Sequence, residues 1–369
     1  MNQAAWQLYE RLPVPTRRDV DWQHFDLRAL KLAGVEKQAQ SVNVSLSAGH
    51  NHGTIVCDLP TALVKHADLV NAHLGRSIPA SEPQKFAALH NALWETGAFV
   101  YIPRNTRLTT PIEITYDCAF GFPRSLIVIE AGAEATVVQK YIGNPTLHAS
   151  GTEVYVKEGA KLHYVSMQNF APTAYDFTLK RAHVARDAEI DWVIGMFGGG
   201  FARYDVECIM EGEGGTSYMY GVGIGEGKQQ LGQFTRQHHT VGNTVSDLLF
   251  KNVLRDQAVS NYAGTIKVEK HSNGTNAYQS NRNLILSDTV QCDTRPILEI
   301  ESNQLRCTHG ATVGRLDENQ LFYLRSRGLA PVQARQMLIE AFLEPVLARI
   351  QVDPVREEFA RLIHQKVLR

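Results

Sequence analysis

The feature that most constrains the fold of this chain is a turn that recurs at a nearly fixed interval between residues 111 and 316. Short segments rich in Gly, Ala, Asp and Asn centre on seven positions: Ala133, Ala160, Ala188, Gly215, Asn243, Asn273 and Asn303. The steps between them are 27, 28, 27, 28, 30 and 30 residues. A repeat of this length is typical of a solenoid, in which each repeat packs only on its neighbours.

The segments between the turns have the composition of strands. TVVQKYI and EVYVKE are rich in β-branched and aromatic residues and show no helical spacing. Each coil of such a solenoid buries alternate residues, and Gly, Asn or Asp suits the corners because these residues tolerate left-handed backbone. Residues 111–316 are therefore predicted to form a parallel β-helix. A β-sandwich, whose turns could imitate some of these spacings, is the alternative.

The residues before the repeats mix helical and extended patterns. Phe86, Leu89 and Leu93 recur at helical spacing, and AFVYIPRNTRL follows as a strand and turn. Residues 1–110 are predicted to form an α+β region, so the fold class is mainly β with this region in front.

After residue 316 the pattern becomes helical. Asp317 is a candidate N-cap, Gln320 stands where it would complete a capping box, and Gly328 stands where a C-terminal cap belongs. Residues 317–369 are predicted to form a helical domain.

Two more helices are predicted in this domain. One starts at Pro331 and is kinked or ended by Pro345, and the other follows Asp353-Pro354 with Phe359, Leu362 and Ile363 on one face. The apolar stripe of the first is predicted at Ala334, Met337, Leu338, Ala341 and Phe342. The helices are expected either to cap the open end of the coil or to dock another protein.

Composition argues against several classes of partner. The 37 Lys and Arg balance 38 Asp and Glu, and there is no block of basic residues, so neither nucleic acid nor an acidic membrane surface is predicted. No apolar run approaches the roughly 20 residues of a membrane helix. The N-terminus is polar and carries acids, unlike a secretory signal, so a cytoplasmic location is expected.

The cysteines also agree with a cytoplasmic location. There are five, widely scattered and without a CxxC pair, so neither a disulfide framework nor a closed zinc site is indicated. Reduced thiols are expected.

Three motifs are considered and set aside. GVGIGEGK, residues 221–228, has the wrong spacing for a phosphate-binding loop, so no nucleotide is predicted to bind, and its glycines are assigned to corners of the coil. His238 and His239 are adjacent, so on a strand they point to opposite faces and are interpreted as structural. Glu207, Glu211 and Glu213 could belong to the carboxylate cluster of a β-helical carbohydrate enzyme, but their setting favours a solvated turn.

The segment LRCTHGATVG, residues 305–314, is the strongest candidate site. Cys307 and His309 are two apart, so they share one face of a strand with Leu305, Ala311 and Val313. These apolar companions favour an inward face, with a buried cysteine and a hydrogen-bonded histidine. A soft-metal site is the alternative, and it needs further ligands from elsewhere or from a partner.

Residues 280–329, which contain CTHGATVG and YLRSRG, resemble the signature of the SufD family of iron-sulfur cluster assembly proteins. LPVPTRRDVDWQHFDLRAL and FAALHNALWETGAFVYIPRNTRLTTPIEI are similar to two further segments of that family. The resemblance implies a right-handed parallel β-helix between an N-terminal α/β region and C-terminal helices.

The resemblance also implies function. The chain would be a non-enzymatic scaffold that pairs edge to edge with SufB, or with itself when SufB is absent. It would dock the SufC ATPase through residues 317–351. His309 matches the family histidine implicated in building a transient iron-sulfur cluster at the SufB interface, and Cys307 is a secondary ligand candidate.

Departures from the family pattern limit this inference. SNQL stands at residues 302–305 where the family commonly has ADDV, which weakens a role for acidic groups in iron entry. Cys292 lies about half a coil before Cys307 and is interpreted as a buried residue on a different wall. A purely architectural subunit, a SufB-type chain and a carbohydrate enzyme are the alternatives.

Overall fold

The computed structural model describes residues 1–47 and 53–367, which form two parallel sheets wound as one coil. Within these residues, sheet 1 contains, in order, β1 Ser41–Ser47, β4 Ile112–Phe120, β6 Glu134–Gly143, β8 Lys161–Phe170, β10 Glu189–Met196, β12 Thr216–Gly225, β14 Val245–Leu254, β16 Asn276–Ile285 and β18 Arg306–Gly314. Sheet 2 contains β2 Ile55–Asp58, β3 Gly97–Ile102, β5 Arg124–Ile129, β7 Leu147–Val156, β9 Tyr175–Val184, β11 Phe201–Met210, β13 Gln230–His239, β15 Val259–Val268 and β17 Gln291–Ile300.

From β3 onward, successive strands alternate between the two sheets, so the chain climbs one rung with every pair of strands. From β3 onward, neighbours within each sheet are parallel and paired in register, whereas β1 and β2 run antiparallel to β4 and β3. The predicted parallel β-helix is confirmed, and the β-sandwich alternative is wrong.

The repeated corner is a column of left-handed residues. Positive φ angles occur at Asn105, Gly132, Gly159, Asp187, Gly214, Asn243 and Gly274. The backbone N–H of Gly214 donates to the carbonyl of Asn243 at 3.1 Å, and that of Asn243 donates to the carbonyl of Asn273 at 2.8 Å. Six of the seven predicted turns are confirmed by a left-handed residue within one position of the predicted centre, whereas the segment around Asn303 is a bend with negative φ angles.

The N-terminal region covers the outer face of sheet 2. The ring of Phe86, on the predicted helix α4 Lys85–Leu93, stacks on Phe177 of β9 with centroids 3.5 Å apart. Phe25 packs edge-on against Phe201 of β11 at 5.2 Å. The other helices of this region are α1 Gln3–Arg11, α2 Leu59–Lys65 and α3 Ala67–Asn71, with single 3₁₀ turns at Val20–Trp22 and Val35–Lys37.

The C-terminal helices are α5 Glu318–Ser326, α6 Pro331–Leu347 and α7 Asp353–Val367. The Asp317 carboxylate caps α5 by accepting the backbone N–H groups of Asn319 and Gln320 at 2.8 and 3.3 Å, and Gly328 ends it at a φ of +94°. Within the described residues the Gln320 side chain makes no return bond, so only half of the predicted capping box forms. Pro345 does not end α6, which continues to Leu347.

Helices α6 and α7 lie across the outer face of sheet 1. Phe359 of α7 packs edge-on against Phe197, with centroids 5.1 Å apart, and fits over Gly195, where a Cβ would lie 2.6 Å from its ring. Lys140 of β6 donates to Glu358 at 2.8 Å. The expectation that these helices cap the open end of the coil is therefore wrong.

The predicted stripe of α6 is also partly wrong. Met337 and Ala341 are exposed, whereas the buried face consists of Ala334, Ile339, Leu343, Val346 and Leu347. This helix carries apolar residues on more than one side, so spacing alone does not decide which side meets the sheet. The predicted face of α7 is confirmed, because Phe359, Leu362 and Ile363 are all buried.

No helix within the described part of the chain is both long and apolar enough to cross a membrane.

The coil encloses a fully buried lysine. The Lys180 ammonium of β9 donates to the Gln139 carbonyl oxygen at 3.0 Å and to the Tyr164 hydroxyl at 2.9 Å. Burial lowers the pKa of Lys180 to about 7 from its ordinary 10.5, although the nearby Asp176 carboxylate raises it. The coil interior is thus packed around a group that is easily neutralised.

This burial predicts a pH dependence of stability. Between about 7 and 10.5 the unfolded chain retains the Lys180 proton that the folded chain has lost, so the free energy of unfolding rises with pH in this window and is flat below it for this group. Urea unfolding at several pH values should give a smaller rise for Lys180→Met than for the wild type. Lys270→Met, which changes an exposed lysine, is the control and should keep the wild-type slope.

Candidate functional site

The strand that carries Cys307 and His309 is the last of sheet 1. Within the described residues, β18 pairs only with β16, and β17 in sheet 2 pairs only with β15. The coil therefore ends in two strands whose outer edges have unpaired backbone N–H and C=O groups. Such edges are templates for the addition of another strand.

Register places Cys307 and His309 on the interior wall of the coil. Cys307 lies opposite Ala277 and His309 opposite Gln279, and both partners on β16 are about 1% exposed. Cys307 packs in the cluster formed by Ile266, Val268 and Ala277. The predicted shared, inward face is therefore confirmed.

The two side chains differ in exposure because no further rung covers β18. Cys307 is half-buried, whereas His309 is exposed and makes no hydrogen bond within the part of the chain that the structure describes. The interpretation of His309 as a hydrogen-bonded packing residue is wrong in this structure. Its ring is available to a ligand at the open end.

The Cys307 thiol is harder to ionise here than a solvent-exposed thiol. Burial raises its pKa above the ordinary 9.0, although a hydrogen bond with the backbone of Ala277 acts in the opposite direction. The thiolate is the form that binds metal, so binding at this residue requires loss of the proton.

An amide ladder holds β18 on the coil. The Asn283 amide donates to the Thr312 carbonyl of β18 at 3.2 Å, and its own oxygen accepts from Asn252 at 2.8 Å. Asn252 in turn accepts from Gln233 at 2.9 Å. This buried chain joins the exposed strand to both sheets, which limits its fraying.

A second exposed feature lies on the C-terminal helices. The described contacts bury no residue of α5, and Phe322 and Tyr323 are 73% and 57% exposed. Val332 and Met337 on α6 are exposed as well. These four residues, two on α5 and two on α6, are called the α5 patch below.

Comparison with known proteins identifies the family. Residues 113–342 match the family model described as "SUF system FeS cluster assembly, SufBD core domain", and residues 37–114 match the SufBD protein N-terminal region. This chain belongs to the SufBD family. The resemblance seen in residues 280–329 is thus confirmed at the level of the SufB/SufD superfamily.

Individual relatives agree. The chain is 31% identical to iron-sulfur cluster assembly protein SufD of Bacillus subtilis over 90% of this chain and 78% of that protein. It is 28% identical to SufB of the same organism over 87% of this chain and 71% of that protein. A SufBD family protein of Staphylococcus aureus is 28% identical over 95% and 78% of the two chains.

The SufBD coil does not bring Cys292 to Cys307. Cys292 lies on β17 in sheet 2, opposite Ser260, so its assignment to a different wall is confirmed, but it is only partly buried. Burial, with a smaller contribution from the Asp293 carboxylate, raises its pKa to about 12. Among the described residues, no group of three His, Cys, Asp or Glu side chains is arranged to hold a metal ion.

The paired histidines of β13 are structural, as predicted. His239 is buried, and its two ring nitrogens contact the hydroxyls of Thr244 and Ser246 at 2.7 and 3.0 Å. Burial lowers its pKa to about 3. His238 faces outward and contacts Glu269 at 2.9 Å.

The carboxylates and glycines differ partly from the prediction. Glu207 is not in a solvated turn but on β11, where it pairs with Arg181 at 3.0 Å, while Glu211 and Glu213 are exposed in the turn after it. Gly221 and its neighbours in GVGIG lie inside β12 rather than at corners, and only Gly227 turns a corner, with a φ of +59°. A Cβ on Gly221 would lie 2.3 Å from the ring of Phe250 in the next rung.

Sequence reasoning also missed Gln279. It lies directly below His309 on the same wall, and the 30-residue step of the last turns would have found it.

Proposed function

We propose that this SufBD chain is a SufD-type, non-catalytic scaffold subunit of the cytoplasmic SUF machinery. It pairs with SufB through the open end of its coil and supports the assembly of an iron-sulfur cluster there as cargo. The observation that carries this proposal is the position of His309 and Cys307 on an exposed strand whose outer edge is unpaired within the described residues.

The open end favours a partner of the same fold. β17 and β18 present unpaired backbone groups from both sheets, so a second coil could extend both sheets at once. Ile297, Ile300 and Val313 are exposed at this end and would become buried. SufB is the proposed partner, and a second copy of this chain takes its place when SufB is absent.

The ligand chemistry fits iron. Imidazole and thiolate both bind iron, and the two residues share one face of β18. Two ligands leave a cluster incompletely held, so the partner coil would supply the remainder at the seam. His309 is the primary candidate because it is exposed, and Cys307 is the secondary one because it is half-buried.

The C-terminal helices are proposed to bind the SufC ATPase. Residues 317–351 contain the α5 patch, whereas the opposite side of α6 is buried on sheet 1. Large aromatic residues on an exposed helix are typical anchors of protein interfaces. ATP binding and hydrolysis are assigned to SufC, and this chain is proposed to bind no nucleotide.

These roles follow the proposed division of the chain. Residues 1–110 form the N-terminal unit, residues 111–316 the coil and residues 317–369 the ATPase-docking unit.

A purely architectural role is the second candidate. Cys307 packs in a buried cluster and its pKa is raised, both of which favour a residue that stabilises the last rung. In that case the partner would supply every ligand.

The His309→Ala variant separates the two candidates. Co-expressed with SufB and SufC, it should yield a complex of normal size whose iron and sulfide content falls by about tenfold or more, since even outer-shell changes at metal sites cost that much. Gel filtration with iron and sulfide analysis measures both quantities. His271→Ala, which alters an exposed histidine in the turn before β16, should match the wild type, and a normal cluster content in His309→Ala would favour the architectural role.

A charge on β18 should disrupt pairing of the coils. Val313→Lys places a lysine at the edge where strand addition would bury it, so binding to SufB should weaken by about tenfold or more. Val64→Lys adds the same charge on α2 and should bind normally. Pull-down with tagged SufB measures the binding, and binding to SufC shows that the variant is folded. Undiminished binding of Val313→Lys to SufB would place the interface elsewhere.

Removal of the α5 aromatic groups should release SufC. The double variant Phe322→Ala/Tyr323→Ala should lose about tenfold or more in SufC affinity, as expected for interface anchors, while its thermal unfolding stays unchanged because both rings are exposed. Val20→Ala, an exposed apolar residue of the N-terminal region, is the control. Titration calorimetry gives the affinities, and equal values for all three proteins would contradict the docking assignment.

A further inference from the structure

Gln279 is the register partner of His309 on the neighbouring strand. The two are register partners on adjacent parallel strands, so their side chains leave the same wall of the coil one rung apart. Gln279 is 1% exposed, whereas His309 lies at the open end. The interior of the coil thus presents an amide directly beneath the candidate ligand.

The Gln279 amide is fixed in place. Its Nε2 group donates to the carbonyls of Gly264 and Ile297 at 3.0 and 3.3 Å, which spans the interior from sheet 1 to sheet 2. A Cβ on Gly264 would lie 2.7 Å from the Gln279 Oε1 atom, so the glycine leaves the space that the amide occupies. Because both donor hydrogens are engaged, the orientation of the amide is set and Oε1 has to act as an acceptor.

That acceptor is unused. The Oε1 atom of Gln279 is buried and has no hydrogen-bond partner within the described residues. Buried carbonyl oxygens normally accept a hydrogen bond, so an unpaired buried oxygen is expected to have a donor within reach. Of the side chains that β18 directs inward, Ala311 and Val313 are apolar and Cys307 is a weak donor, which leaves His309.

We propose that Gln279 is a positioning residue that accepts the ring N–H of His309 at Oε1. The bond selects one tautomer of the imidazole and directs the other ring nitrogen, with its lone pair, out of the coil. Metal-binding histidines generally donate their second nitrogen to such an acceptor. The inference rests on the proposed function of His309 for its purpose, but the hydrogen bond itself does not depend on iron.

The contact requires only side-chain rotation. Neighbouring strands are about 4.8 Å apart, a separation that an imidazole and an extended amide bridge in ordinary rotamers. In this structure both groups are unpaired within the described residues, and Thr294 on the opposite wall also has an unpartnered buried hydroxyl. Thr294 is therefore the competing donor without a partner of its own, since the Tyr262 hydroxyl, which also lies beside Gly264, is already paired with Thr235 at 3.1 Å.

The tautomer of His309 tests the proposal in the full-length chain without metal. Two-bond ¹H–¹⁵N correlation spectra of histidine-labelled protein, recorded where imidazole is neutral, report which ring nitrogen carries the proton, and loss of signals in His309→Ala assigns them. The tautomer ratio of His309 should differ about fivefold or more from that of the exposed His271, the effect of one ordinary hydrogen bond. In Gln279→Met it should move to the His271 value.

A folding control and a second variant make the result specific. The signals of the other histidines in Gln279→Met should keep their wild-type positions, which excludes a mere loss of folding. Thr294→Val should leave the ratio unchanged, whereas a shift there would identify Thr294 as the partner and overturn the proposal. A wild-type ratio equal to that of His271 would overturn it as well.

Iron loading separates this inference from the function on which it rests. If the tautomer of His309 depends on Gln279 but His309→Ala keeps its cluster, the positioning contact stands and the ligand role fails. With the ligand role intact and no effect of Gln279→Met on the tautomer, only the positioning contact fails.

Discussion

The hydrogen bonding between rungs is the interaction on which the rest of this structure depends. Each strand of a parallel coil satisfies its backbone groups through the strands before and after it, so every rung but the last is completed by its neighbour. The outer faces are closed separately, sheet 2 by the N-terminal region and sheet 1 by α6 and α7. The end formed by β17 and β18 remains open within the described residues, and the chain places CTHGATVG there.

The interior of the coil contains many buried polar side chains beside its apolar core, and they form hydrogen bonds between rungs. Amide ladders such as Asn283, Asn252 and Gln233 bind each rung to the next with hydrogen bonds that a one-rung slip would break. Lys180 donates hydrogen bonds to neutral oxygens such as that of Gln139. Its burial is tolerated because the lowered pKa lets the amine lose its charge. An apolar core would stack equally well but would specify the alignment of rungs less strictly.

Sequence reasoning predicted the features that are decided locally. Left-handed backbone selects Gly, Asn or Asp at the corners, so the spacing from Gly132 to Gly274 could be read directly. Helix ends at Asp317, Gly328 and Pro331 follow local rules in the same way. Period-2 alternation likewise predicted that Cys307 and His309 share an inward face.

The errors concern contacts between distant residues. Gly221 makes room for Phe250 a full rung away, Glu207 is drawn into a strand by Arg181, and the buried side of α6 is chosen by sheet 1. The exposure of His309 depends on the absence of a rung above it in the described structure, which no local pattern reports.

The corner column has a geometric consequence. Because the backbone N–H of each left-handed residue donates to a carbonyl in the corresponding turn of the next rung, the coil can lengthen or shorten only by whole turns of roughly 27 to 31 residues. Each turn added between the helices on sheet 1 and β18 would move that strand by about 4.8 Å along the coil axis. The distance along the coil between the C-terminal helices on sheet 1 and the open strand can therefore change only by whole rungs. Relatives that use both surfaces together should keep the same number of turns.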